Sequence, residues 1–283
     1  FNYSADKGEI TPQGSYSNLC ALIKKLPLTE YIKDVSVITF NYDLALEFAM
    51  FCNSLAPNYM LKDESPADNG KLKSIKLLKL HGSLNWGIVN GKTEVVAFDV
   101  STIKGQVIQH HGARGKFQTI KVGKSKREIT LSADNGDIHI PIGSNLKEFM
   151  NGWRNIEVKP TPLIVPPTWN KSDYHTAIAP VWKSAAQELL NAQYIYIIGY
   201  SLPETDAFFK LLYGLGSVGE TIIRKIVVYN PDDSGTVEAR FRCMLGTDTL
   251  KKMTYKPMKF EDSLSDISEQ FFDPNIRNYG LFL

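Results

Sequence analysis

Four short runs of β-branched and other apolar residues in this chain stop abruptly at a polar or glycine-bearing turn. Val35–Phe40 runs into Asn41-Tyr42-Asp43, and Ile75–Leu80 into His81-Gly82-Ser83. Tyr194–Ile198 runs into Gly199-Tyr200-Ser201, and Ile222–Tyr229 into Asn230-Pro231-Asp232. Runs of this length and composition suit strands buried on both faces. Helical patterning follows in Leu44–Phe51, Phe208–Leu215 and Thr236–Leu245. Strand alternating with helix predicts an α/β fold built on a doubly wound parallel sheet. In such a sheet ligands bind outside the carboxyl ends of the strands, where all four polar turns fall. The competing explanation is local. Asn41 and Asp43 are residue types that shape turns and cap helices, and a lone histidine such as His81 often satisfies a structural hydrogen bond.

The rest of the chain bounds these possibilities. At 283 residues it can bury a substantial core, and a net charge of +2 points to neither nucleic acid nor membrane as a partner. No apolar stretch reaches the roughly 20 residues that span a bilayer. Cys20, Cys52 and Cys243 are widely spaced and form no paired motif, so neither a disulfide framework nor a zinc site is signalled, and a reducing cytoplasm is expected. The chain begins with Phe1 rather than Met, and the expectation is that something precedes it.

Further elements are expected in order. A helix over Tyr16–Lys25 ends at Pro27, with a short turn over Leu28–Lys33, and Ala56–Gly70 reads as a loop. From about Ile88 to Asn151 helical periodicity fades and glycine becomes frequent, the signature of a loop- and β-rich insertion with short runs at Glu94–Phe98, Lys116–Val122 and Ile138–Ile142. It carries Lys104, Arg114, Lys116, Lys121, Lys124, Lys126 and Arg127 with no intervening acid. That run reads as a solvated face, or else as a basic lid or nucleic-acid patch. Pro160–Pro167 encloses a short strand, Ile178–Asn191 is an amphipathic helix, Met253–Lys259 a last strand, and Asp262–Phe272 an acidic amphipathic helix. The expected division is 1–87 for the first part of the sheet domain, 88–151 for the insertion, and 152–283 for the second part with its tail.

Thr39-Phe40-Asn41-Tyr42-Asp43, Leu80-His81-Gly82-Ser83-Leu84-Asn85-Trp86, Ile198-Gly199-Tyr200-Ser201-Leu202-Pro203-Glu204-Thr205-Asp206 and Val228-Tyr229-Asn230-Pro231 together resemble the sirtuin-like NAD-consuming family, in particular its bacterial branch in anti-phage defence. The resemblance implies a Rossmann-like, sirtuin-type fold and an NAD hydrolase. On that basis Asn41 contacts the nicotinamide-side ribose or the attacking water, and His81 is the catalytic base. Gly199 and Ser201 line the phosphate or ribose site, Asn230 lies near the adenosine, and Asp43 either contacts NAD or only caps. NAD is the substrate and no metal is implied. The family implies an antiviral effector in the cytoplasm, kept silent until a homo-oligomer, a sensor domain or a partner protein activates it, with nucleic acid engaged only through that partner.

Two departures from the family matter. Protein-deacylating members carry a zinc module with paired cysteines, which this chain lacks, so plain NAD hydrolysis is favoured over deacylation. The family also opens with a Gly-Ala-Gly-x-Ser type loop whose amides cradle the diphosphate. Gly8 and Gly14 do not make that pattern, and the loop is expected upstream of Phe1. Its absence here keeps open a non-catalytic module that senses NAD or ADP-ribose. A nuclease or DNA-binding domain using residues 104–127 lacks a carboxylate cluster for metal. In the catalytic case, Tyr42 or Trp86 supplies an electron-rich wall against the cationic ring, or else simply packs.

Overall fold

The chain begins with a short hairpin, β1 (Asn2–Ser4) against β2 (Glu9–Thr11), and helix α1 (Gly14–Lys25). The fold is that of a computed structural model, which describes residues 2–4, 9–29, 32–61, 72–89, 95–97, 108–110, 118–122, 125–129, 158–165, 172–203, 214 and 222–272. Helix α1 buries Cys20, Leu22 and Ile23. Pro27 ends it as expected, although the following helical turn spans Leu26–Leu28 rather than starting at Leu28. The architecture is mixed α/β with parallel sheets, divided into two compact units: Phe1–Cys20 with Val37–Val181, and Ala21–Ser36 with Trp182–Leu283.

The first unit is built on β3 (Ser36–Thr39), α2 (Ala45–Cys52), β4 (Leu55–Asn58) and β5 (Lys73–Lys79), with sheet order β3-β5-β4. Strand β4 pairs in parallel with β5, from Leu55 opposite Lys73 to Asn58 opposite Lys76. Part of the expected Ala56–Gly70 loop is therefore a strand. Its Pro57 is tolerated because β4 lies at an edge, where a missing N–H costs no ladder bond. Phe48, Ala49, Met50, Leu55, Leu77, Leu78 and Leu80 are wholly buried and form the core of this unit.

After His81 the chain does not enter a helix. It turns straight back as β6 (Gly82–Val89), the middle strand of an antiparallel sheet with β7 (Val95–Ala97) and β11 (Val158–Ile164). Gly82, Asn85 and Gly87 look like turn formers in sequence, yet all three lie in a strand. Pro160 and Pro162 lie in β11, which is again an edge strand. Between β7 and β11, β8 (Ile108–His110), β9 (Gln118–Val122) and β10 (Ser125–Ile129) form a second antiparallel sheet. Lys121, Lys126 and Arg127 of the basic run thus lie in paired strands, while the run expected at Ile138–Ile142 lies outside the described residues.

Helix α3 (Ser172–Asn191) begins six residues before the expected Ile178 and buries Ala177, Ile178, Val181, Ala185 and Leu189. In the second unit β12 (Tyr194–Ile198), β13 (Lys225–Tyr229) and β14 (Met253–Lys256) are parallel in that order, with Ile198 opposite Tyr229 and Tyr229 opposite Lys256. Ile222 was expected to start β13, but it is 72% exposed and the strand starts at Lys225. Helices α4 (Thr236–Met244), α5 (Thr247–Leu250) and α6 (Phe260–Phe272) complete the unit. The helix expected at Phe208–Leu215 lies outside the described residues, Gly214 excepted. No helix among the described residues is long and apolar enough to cross a membrane.

Candidate functional site

The amide of Leu80 donates to the carbonyl of Thr39 at 2.9 Å. Thr39 is the last residue of β3 and Leu80 the first beyond β5, so both strands finish at the same edge. Asn41 and His81 each lie two residues past the end of their strand, at that edge. The Phe40 and His81 rings meet at 5.2 Å between centroids, inclined by 47°. Asn41, Tyr42 and Asp43 are exposed and His81 is half-buried.

Local bonds hold both turns. The Asn41 amide donates to Thr39 Oγ1 at 3.1 Å, and Asp43 Oδ1 accepts the Ala45 amide at 2.8 Å. Asp43 therefore serves the turn that opens α2, the role the local explanation gave it. On the other side, Val165 donates its amide to the His81 carbonyl at 2.9 Å. Gly82 has φ +80°, and a Cβ there would stand 2.0 Å from the Leu163 carbonyl oxygen. Only glycine fits beside His81, because both the backbone conformation and the approach of β11 exclude a side chain.

Beneath the exposed edge lies a buried polar chain that the sequence did not disclose. Lys79 and Glu47 are each 1% exposed, and the ammonium meets Glu47 Oε1 at 2.5 Å. The same ammonium donates to the main-chain carbonyl of Asp43. Burial pushes the Glu47 carboxyl above its usual range, with the Lys79 charge pulling against it. Asn85 Nδ2 donates to the Tyr59 hydroxyl at 3.1 Å, which lies 3.5 Å from Glu47 Oε1. Trp86 is wholly buried with its ring edge-on to Tyr59. Trp86 is thus a packing residue, and of the two aromatics only Tyr42, 50% exposed, faces solvent. The signal available in sequence was a single charge inside each of two otherwise apolar segments, Leu77–Leu80 and Leu44–Phe51.

Gly199, Ser201 and Asn230 share the corresponding edge of the other sheet. Gly199 is exposed with φ +70°, and its amide donates to the Tyr229 carbonyl at 2.9 Å. Arg240 Nη1 donates to the Ser201 carbonyl at 3.3 Å. Asn230 is buried, and its Oδ1 accepts the Asp232 amide at 3.0 Å, which commits that oxygen to the turn. Asp232 in turn accepts the Ser234 hydroxyl at 2.6 Å and the Val237 amide at 2.9 Å. Those bonds hold its carboxyl below the usual range and secure the start of α4. Asp232 and Arg240 were not singled out in sequence.

Asn41, Asp43 and His81 belong to one unit, and Gly199, Ser201 and Asn230 to the other. Each trio is gathered at one edge of its own sheet. Among the described residues no three of His, Cys, Asp and Glu cluster in a way that would hold a metal ion. Neither a protein-family model nor a curated protein matches the chain.

Proposed function

We propose that this chain cleaves the nicotinamide–ribose bond of NAD. The observation that supports the reading is that β3 and β5 finish at one edge, with Asn41 in the exposed turn beyond one strand and His81 in the glycine-locked turn beyond the other. NAD brings its own leaving group, since the cationic nicotinamide departs neutral. The protein must hold the ribose, tolerate positive charge at C1′ and deliver water. An imidazole has an ordinary pKa of about 6.5 and can accept a proton near neutrality. In this mechanism water adds to C1′ as the glycosidic bond breaks, nicotinamide takes the bonding pair, and His81 removes the proton of the added water. Asn41 orients that water without placing a charge beside the developing cation. General-base help of this kind contributes about 10²–10⁴-fold in rate.

The doubly wound, sirtuin-type arrangement belongs to the same proposal. In it Gly199 and Ser201 line the phosphate or ribose portion of NAD and Asn230 lies toward the adenosine. An effector that depletes cytoplasmic NAD in antiviral defence, under control of self-assembly or a partner, follows from the resemblance of the four motifs.

The alternative reading is a sensor that binds NAD or ADP-ribose and leaves the bond intact. Nicotinamide release by the purified full chain, followed by liquid chromatography, separates the two. Release that His81→Ala abolishes supports cleavage. Saturable NAD binding without release supports the sensor.

A further inference from the structure

We propose that Lys79 and Glu47 are positioning residues for the Asn41–His81 edge, an inference that rests on the cleavage reading. Lys79 is the last residue of β5, two before His81. Its buried ammonium bridges the Glu47 carboxylate and the main-chain carbonyl of Asp43, two residues after Asn41. One side chain of the His81 strand therefore grips both the first turn of α2 and the turn that carries Asn41.

The placement is costly unless it does something. Removing an ion pair from water costs several kcal/mol per ion, and an apolar pair of similar volume would often pack as well or better. What an apolar pair cannot supply is direction. A Met or Leu at position 79 would tolerate sliding of the Asn41–Asp43 turn along the strand edge, whereas the ammonium fixes the Asp43 carbonyl at hydrogen-bond range. The amide of Leu84, which donates to the Tyr42 carbonyl at 2.9 Å, is a second tie between the Asn41 turn and the strand just past His81 and reports on whether they stay together. A shift of about 1 Å between two reacting groups can cost about 10²-fold in rate.

The test uses the full chain carrying Lys79→Met with Glu47→Gln, which removes both charges together and leaves no lone buried ion. The expected result is a cooperative fold, a KM for NAD within about threefold of the parent, and a kcat lower by about 10²-fold. Hydrogen exchange at the Leu84 amide should rise at least about tenfold, with Leu77 in mid-strand unchanged. Val227→Ala, a core change in the other unit, serves as the control for general destabilisation and should leave both readouts alone. If the double variant does not fold, Glu47→Asp keeps the charges and withdraws the carboxylate by one methylene. It should lower kcat at unchanged KM and speed Leu84 exchange. Parental kcat, or parental Leu84 exchange, in the variant that folds overturns the proposal. Should the parent release no nicotinamide, the cleavage reading falls, and the positioning role is decided by Leu84 exchange alone.

Discussion

Leu84 donates its amide to the Tyr42 carbonyl at 2.9 Å, joining the turn after β3 to the strand after β5 beyond the end of their ladder. With the Leu80–Thr39 bond it makes a two-point attachment. Asn41 lies between the attached residues on one side and His81 between them on the other. These main-chain bonds act together with the Lys79 grip on the Asp43 carbonyl, and none of them uses the side chain of Asn41 or His81.

That independence makes the first prediction clean. Asn41→Ala and His81→Ala should each reduce nicotinamide release by at least about 10²-fold. Asn41 is exposed and His81 half-buried, so thermal midpoints should stay within a few degrees of the parent. Parental turnover in both variants would remove these residues from the chemistry.

Gly82→Ala should behave in the opposite way. The added methyl meets the Leu163 carbonyl and needs a left-handed backbone. Strain of that kind costs of order 1–3 kcal/mol before the clash is counted. A drop of about 3 kcal/mol or more in unfolding free energy is expected, read from the urea midpoint. A neutral effect would mean that β11 does not approach His81 as described.

The strands before the four turns were legible because their signal is local. Tyr194–Ile198 was read to the residue, since an unbroken β-branched and aromatic run has few alternatives. Leu55–Asn58 and Gly82–Val89 were not legible as strands, because proline, asparagine and glycine point to turns unless the tertiary setting protects them. At the site, Asn41, Asp43 and His81 stood out by position. Lys79 and Glu47 did not, because their meaning lies in each other across 32 residues, and nothing local records that pairing.

The two aromatics near the edge should separate by burial. Trp86→Ala empties a wholly buried site and should cost about 3–5 kcal/mol in stability. Tyr42→Ala should alter stability by no more than about 0.5 kcal/mol. If Tyr42 faces the cationic ring, its loss should slow release by about two- to fivefold, the scale of an exposed cation–π contact.

The second unit should weaken at both ends of the pH range. Asp266 on α6 accepts from Tyr229 at 2.6 Å and Lys256 at 2.5 Å, and Gln270 accepts from Lys225 at 2.9 Å. Burial works to raise the Asp266 carboxyl, but the Lys256 and Tyr229 hydrogen bonds and the Lys256 charge outweigh it and hold the group low. A carboxyl lowered by folding contributes stability above its unfolded value, about pH 4, and loses it as pH falls through the folded value. Burial raises Tyr196 and Tyr229, so their contribution is full below about pH 10 and declines as pH climbs further. Urea midpoints across pH should show both slopes, and Asp266→Asn should flatten the acidic one.

The histidine stands where two sheets hand over to each other: Leu80 bonds into one and the His81 carbonyl into the segment leaving the other. An anchorage shared in this way leaves no hinge on which the imidazole could swing while the rest of its unit stayed folded. Heat should therefore extinguish turnover and collapse that unit in one event, with no intact but inert species surviving on the way up.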